Sequence, residues 1–518
     1  MEHTTPRAAV TYKELCKDRE PFLRRARDNA EYTLPTLFPP EGHNGHDTLR
    51  SPNQNFASDA VNVLSSKLVI GLFPAGVPIF KQKVPKRIEM ELTQGDPDAL
   101  AQVQGILGLI EIEATDEMEA AGWRPVLHAC NRNLIVGGNY MLHSQPDNKL
   151  RGFNLNNYVT RRDHAGNHVE SVVQEMVDLE TLPEDTRAMI EAKLSQQPEK
   201  PGTRKQVKLY THIHLKAEQY KVYQECEGVI VEGTEGSYPK DRCPWLPVRW
   251  MAIEGEHYGR SMVEDHLGDI VALDIISKGI KEAVALGTRV VTLVRPGSMT
   301  NIRDLVRAKN GDVIKGREED IGSWKLDKQV DLSVAERWAD RLEARLGKTF
   351  LLHSAVQRQG ERVTLGEIRY MINELNDALG GIYATLAIEM QRPLIMSLLH
   401  RMRKSGTIPR LKEADVKTTL VTGLDALSRE HDLQNLTQAA QLIASMFGPE
   451  AVAQYVHPSA IIQRIFSNLR IDPDGALKSK EELEAQAQQD QQAQVVQQLG
   501  PDAMKMLQAQ QNQQGTPA

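Results

Sequence analysis

The chain has 518 residues, 40% of them hydrophobic and 25% charged, with 62 Lys and Arg against 69 Asp and Glu for a net charge of −7. That length exceeds what one hydrophobic core supports and predicts several globular subdomains. The acidic balance argues against a tight nucleic-acid binder, which usually carries a basic footprint.

Taken in order, Thr11 and Glu14 match the S/T-x-x-E capping box and predict a helix start, with Pro21 dividing the helix. Arg19, Arg24, Arg25 and Arg27 read as its solvated basic face. Residues 34–53 are rich in Pro, Gly, Asn and His and predict an extended loop. Phe56, Ala60, Val63 and Leu64 open an amphipathic helix. The longest apolar run, residues 68–80, is interrupted by Gly71, Pro74, Gly76 and Pro78 and is too short to span a bilayer. The N-terminal MEHTTPRAAV has no apolar signal region. Leu100, Val103, Leu107, Ile110, Ala114 and Met118 form a helical stripe, and Glu111, Glu113, Asp116, Glu117 and Glu119 read as its solvated acidic face. Pro125 suits the first position of the next helix, which ends near Gly137-Gly138.

From residue 139 to about 256 the pattern changes to strands. Residues 158–177 read as a hairpin around Asp163-His164-Ala165-Gly166-Asn167. Val207, Leu209, Thr211, Ile213 and Leu215 alternate with polar residues, and residues 220–231 offer a partner strand. His212 and His214 form an H-x-H pair on one strand face. Such a pair can open a zinc site, but no third ligand stands at recognisable spacing, so two surface histidines is the preferred reading. Cys16, Cys130, Cys226 and Cys243 form no C-x-x-C pair and read as free, mostly buried thiols. The sequence contains no Walker, H-E-x-x-H or G-x-S-x-G motif, and neither an enzymatic activity nor a cofactor is expected.

Residues 258–402 carry the organising pattern. Ser261 with Glu264, Ser333 with Glu336 and Thr364 with Glu367 repeat the capping box ahead of apolar helical spacing. The predicted helices cover residues 261–287, 333–350 and a long third one from 364. The third is striped by Leu365, Ile368, Ile372, Leu375, Leu379, Ile382 and Leu386 and kinked at Pro393. Between the first two lies a small insert with turn dipeptides Pro296-Gly297 and Asn310-Gly311. Arg337, Arg341 and Arg345 recur every four residues and share a face, with Glu336, Asp340 and Glu343 interleaved as ion-pair partners. Residues 353–363, HSAVQRQGERV, are too polar for a core. From about residue 478 the composition collapses to Gln, Ala and Glu.

The strings YGRSMVEDHLGD, LLHSAVQRQGERVTLGEIRY and ELNDALGGIY, with AEYTLPTLFP, SKLVIGLFP, YTHIHL and YPKDRCPWLPVR, resemble the portal, or head-to-tail connector, proteins of short-tailed phages. The resemblance covers residues from about 11 to about 430 and implies an α+β, mainly α protomer built of wing, stem, clip and crown around a ring with a central channel. On that pattern residues 1–257 are wing, 258–287 and 333–350 the two stem helices, 288–332 the clip, and 351–363 the tunnel loop. Residues 364–405 are a long wing helix, 406–477 the crown, and 478–518 a tail, barrel or disordered. The resemblance implies a homo-dodecamer at the unique capsid vertex of the virion, assembled in the host cytoplasm. It implies double-stranded DNA in the channel and, as partners, the terminase large subunit, scaffolding and major capsid proteins, tail adaptors and internal core proteins, but no membrane. It places Gln357, Arg358, Gln359, Gly360, Glu361 and Arg362 in the loop facing DNA and makes Arg337, Arg341 and Arg345 a charged stem face. The competing expectation is a nucleic-acid-binding or metal-dependent enzyme using the His212/His214 strand.

Overall fold

The structure is a computed structural model. It describes residues 7–194, 206–352, 378–409 and 417–420 apart from short gaps, and a few residues between 438 and 446. Two units are present: residues 1–83 with 110–428, and residues 84–109 with 429–518. The first unit opens with α1 (Ala8–Glu31), α2 (Phe56–Leu72) and strand β1 (Phe80–Lys83). The described part of the second unit is α3 (Lys86–Thr93), ending on left-handed Gln94, and the first turns of α4 (Pro97–Ala120).

Helix α1 corrects three expectations. It begins at Ala8 rather than at Thr11, because the Ala8 amide donates to the buried Glu225 carboxylate at 2.7 Å. A distant carboxylate does what the local Thr was expected to do. Pro21 lies inside an unbroken helix. Leu15 and Leu23 are buried on either side of it, so packing offsets the one hydrogen bond that proline removes. Arg19 is no part of a solvated face: it is buried and donates to the carbonyls of Leu155 (3.2 Å) and Asn156 (2.8 Å). In α4, Glu111 is likewise buried rather than solvated, and accepts from the Gln82 amide at 2.7 Å.

Helix α5 (Trp123–Gly137) ends on Gly138 in the left-handed region, with Pro125 at its third position rather than its first. It leads into a three-stranded antiparallel sheet that the sequence reading did not foresee. There β2 (Asn139–Ser144) pairs with β3 (Leu150–Asn154) on one side and with β10 (Trp245–Arg249) on the other. The predicted antiparallel subdomain forms as β4 (Tyr158–Arg162), β5 (His168–Asp178), β6 (Gln206–Lys216), β7 (Gln219–Cys226) and β8 (Val229–Ile230) in that spatial order, with β9 (Gly236–Pro239) beside β7. Between β5 and β6 lies a short helix, α6 (Glu184–Leu194). Helix α1 closes one face of the sheet, where Ala8, Tyr12 and Leu15 pack with Val159, Val172, Tyr210 and Tyr223.

Beyond the sheets come α7 (Met262–Gly287), an insert with antiparallel β11 (Val291–Val294) and β12 (Ile321–Trp324) around α8 (Ile302–Arg307), and α9 (Gln329–Thr349). Helix α9 starts four residues before Ser333, so that serine is an interior position and its carbonyl accepts from Arg337 Nε at 3.1 Å. After residue 378 the chain is not one continuous helix. Gly380 (φ 44°) interrupts the predicted stripe, and helix Gly381–Leu386 passes through a π-helical turn, Ala387–Gln391, into helix Arg392–Ser405. The expected disturbance at Pro393 takes the form of that wider turn, which precedes the residue lacking an amide. Strand β13 (Lys417–Leu420) returns to pair with β1. Thr364, Glu367, the stripe from Leu365 to Leu375, the Asn310-Gly311 turn, residues 353–363, most of 406–477 and all of 478–518 lie outside the described residues.

Candidate functional site: the paired helices and their base

The string YGRS, which opens the strongest motif, is a fastening built from four different interactions. Tyr258 is fully buried, and its hydroxyl accepts from the Thr160 amide at 2.9 Å. Gly259 lies against Gly138: a Cβ on Gly138 would sit 2.7 Å from the Gly259 carbonyl oxygen, so no larger side chain fits at residue 138. Asn139 holds this crossing from both directions, donating to the Gly259 carbonyl at 2.8 Å and accepting from its amide at 2.7 Å. Ser261 caps α7 by accepting from the Glu264 amide at 3.1 Å, and it also accepts from Asn29 Nδ2 at 2.9 Å.

The other half of the capping box is diverted. Glu264 turns to Arg260 (2.7 Å) and Arg25 (3.2 Å) instead of reaching back. Arg260 also grips Glu256 through two bonds, and the hydrogen bonds to Glu256 raise its pKa further above the ordinary arginine value. Phe22 sits between Arg25 and Arg260, whose guanidinium carbons lie 4.5 and 5.5 Å from its ring centre.

From this base α7 and α9 run side by side, with the start of one beside the end of the other. His266 meets Phe350 at 6.0 Å between rings, and Asp269 pairs with Arg345. Val263, Ile270 and Leu273 of α7 and Leu342 and Leu346 of α9 are buried. Asp274, 1% exposed, fastens α7 to the loop before α2 by accepting from the Asn53 amide (2.5 Å), Asn53 Nδ2 (3.0 Å) and Arg50 (3.4 Å). Farther along, the seam opens. Ile275 is 64% exposed and Trp338 53%, and Val284, Leu286 and Val334 are exposed as well. Isolated apolar residues on a surface are ordinary, but Ile275 with Leu286 on α7 and Val334 with Trp338 on α9 each share a side of their helix and stand exposed.

Arg337, Arg341 and Arg345 are all exposed on α9, sharing a face as their spacing predicts. The ion pair of Arg345 is made across to Asp269 on α7 rather than to Glu336, Asp340 or Glu343 on its own helix. The loop residues Gln357, Arg358, Gln359, Gly360, Glu361 and Arg362 lie outside the described residues.

His212 and His214 are not two surface histidines. His212 is buried, 2.8 Å from Glu170 and 2.9 Å from the Tyr223 hydroxyl, and the tilted ring of His214 lies 4.8 Å away between ring centres. Burial pushes the His214 pKa down, and the His212 hydrogen bond pulls that of Glu170 down. Both imidazole nitrogens of His212 are thus engaged within the sheet. Among the described residues no group of three or more His, Cys, Asp and Glu could hold a metal. The sequence reading also passed over Arg249, which grips Glu389 of the π-helical turn through Nε at 3.1 Å and through its terminal nitrogen. A buried arginine beside a glycine crossing leaves no periodic trace in a sequence.

The family model for the bacteriophage head to tail connecting protein matches residues 5–477. The chain belongs to this family. It is 36% identical to the portal protein of Escherichia phage T7 over 502 residues, covering 96% of this chain and 91% of that protein. To the portal protein of Enterobacteria phage T3 it is 36% identical over 493 residues, covering 93% and 90%. The portal protein of Pseudomonas phage phiKMV is 29% identical, covering 90% and 91%. Among solved structures, a chain of the neck of an empty gene transfer agent particle is 11% identical. It covers 78% of this chain and 90% of that chain with a TM-score of 0.35, too low to establish a shared fold. As a portal-family protein of short-tailed phages, the chain serves the head-to-tail connection, a reading favoured over the nucleic-acid-binding or metal-dependent enzyme on the His212/His214 strand. The YGRS fastening is structural: Tyr258 and Gly259 tie the start of α7 to the sheets, Ser261 ties it to α1, and the Arg260 side chain joins Glu256 and Glu264. No described helix is long and apolar enough to cross a membrane.

Proposed function

We propose that twelve copies form a ring at the unique capsid vertex and that DNA enters and leaves through its channel. The observation that carries the ring is the set of exposed apolar side chains on α7 and α9, Ile275 with Leu286 and Val334 with Trp338, which neighbouring copies would bury. In this reading α7 and α9 are the stem and residues 288–332 the clip, which docks first the terminase large subunit and later the tail adaptors. Residues 1–257 and 364–405 form the wing, which faces the scaffolding and major capsid proteins. Residues 406–477 are the crown, turned toward internal core proteins. The ring itself has no enzymatic role; the motor is a separate protein. Electron micrographs of the purified chain test the assembly directly, and a monomer on a sizing column and in micrographs would overturn it. Deleting residues 291–328 is expected to leave subunit folding intact and abolish motor docking, and a deletion that still packages DNA would refute the clip assignment.

Residues 351–363 are the tunnel loop in the same reading, with residues 357–362 facing DNA. Around a ring, one Arg358 per subunit becomes a collar of guanidinium groups, each able to pair with a phosphate oxygen and none strong enough alone to stop sliding. Arg358→Ala is expected to leave assembly unchanged and lower retention of packaged DNA, with Arg362 as the second contributor. Equal ratios of full to empty heads would return the loop to a plain connector. For Arg337, Arg341 and Arg345 the favoured role is ion pairing, each exposed pair contributing under about 1 kcal/mol. Replacing all three by Gln should weaken assembly without changing the salt response of DNA passage.

A further inference from the structure

The string SKLVIGLFP contains a lysine in an otherwise apolar helical run, and the portal reading gives that lysine no role. Lys67 is 6% exposed in α2, and its ammonium donates to the carbonyl of Leu351 at 2.5 Å, 284 residues away. A buried ammonium is costly unless its hydrogens find acceptors, so a lysine held at this position has a specific partner to serve.

The partner stands at an unusual backbone position. Leu351 follows the end of α9 with φ 57°, the left-handed region that side chains other than glycine seldom adopt. It is also buried, at 6% exposed. The turn around it is closed by the Phe350 amide to Leu346 (2.8 Å), the Leu351 amide to Lys348 (3.3 Å) and the Leu352 amide to Gly347 (2.7 Å). Glycine is the usual residue where a helix leaves through this conformation. A leucine there persists only where its surroundings over-determine it. The Leu351 side chain is buried, and its carbonyl is taken by a charged donor from another helix.

We propose that Lys67 is a positioning residue: it latches the left-handed exit of α9 at Leu351 and thereby fixes the direction in which the chain leaves the second long helix. Its functional consequence rests on the reading of α7 and α9 as the stem. A latch of this kind couples α2 to the end of α9 through a hydrogen bond to backbone, so it depends on the donor at residue 67 and not on the side chain at residue 351.

The test is amide hydrogen exchange on the full-length chain carrying Lys67→Met, which keeps the apolar stem and removes the donor, and Lys67→Arg, which keeps a cationic donor. Lys67→Met is expected to speed exchange at Phe350, Leu351 and Leu352 at least tenfold, with α7 amides from 262 to 275 within twofold of the parent. Lys67→Arg should restore protection at least in part. Unchanged exchange at 350–352 overturns the latch, as does acceleration spread evenly over α2, which would make Lys67 only a member of the core. Retention of packaged DNA in particles carrying Lys67→Met addresses the stem reading separately. Faster exchange with normal retention leaves the latch standing and counts against that reading.

Discussion

The six-stranded sheet and the α7–α9 pair solve the same problem in opposite ways. At the sheet, one chain supplies both layers: α1 covers β4 to β7, the Glu225 carboxylate meets the first amide of α1, and even Arg19 finds backbone carbonyls inside. At the paired helices the seam is sealed only near the base, by Leu273, Leu342, Leu346 and Phe350, and Ile275 and Trp338 are left open beyond it. The contrast separates what the fold needs from what an assembly needs. A surface complete within one chain tolerates isolation, and exposed apolar residues on two paired helices are what the proposed ring would bury.

The largest expected effect breaks the self-sufficient side. Arg249→Ala removes one partner of a mostly buried ion pair and leaves Glu389 uncompensated, which should destabilise the first unit by about 3–5 kcal/mol. Denaturant unfolding reads it, and a change under about 1 kcal/mol would show that the pair is effectively solvated. Next, Leu273→Ala should cost about 2–5 kcal/mol whether the chain is alone or assembled, because the residue is fully buried within one subunit. Trp338→Ala should cost less than about 0.5 kcal/mol in the isolated chain while weakening association. Equal losses for the two in the isolated chain would erase the distinction drawn above.

The pH response sharpens the same contrast. Burial lowers the pKa of His168 to about 3 and that of His143 to about 4. Both are neutral in the fold, whereas the unfolded chain takes up protons below about pH 6.5, so stability is full above that pH and falls as pH drops toward 4. Each group contributes a slope of up to about 1.4 kcal/mol per pH unit. His168→Gln should flatten the acid limb of a thermal-unfolding series, and an unchanged limb would mean that His168 is not shielded from protons. A local effect is expected at the cap: Glu225→Ala should cost about 1 kcal/mol and fray the first turn of α1, seen as faster amide exchange at Ala8.

How much of this was legible in the sequence depended on whether the cause was local. Ser261 as a cap, Gly138 as a stop and the 158–177 hairpin are written in neighbouring residues, and the structure has all three. The boxes at Thr11 and Ser333 misled because S/T-x-x-E also occurs inside helices, and the true starts are fixed elsewhere, at Ala8 by a glutamate in β7. The three-stranded sheet escaped notice because β10 joins β2 from a hundred residues away, a pairing that periodicity cannot reveal. Arg19 and Glu111 looked like surface because charge normally is; each is buried against a particular backbone group. Of the candidate site, the shared face of three arginines was legible, and the identity of the Arg345 partner was not.

The pairing of β1 with β13 sets a clock on the ribosome. Phe80 finds its partner Leu420 only after 340 further residues have been made. At about 5–20 residues per second that is a wait of roughly 20 to 70 s. Through that interval β1 presents an unpaired edge of the kind that invites association with other chains. Both long helices and the insert between them are synthesised inside the interval. The two strands can therefore register only once everything between them has emerged, which makes their closure a late step in building each subunit.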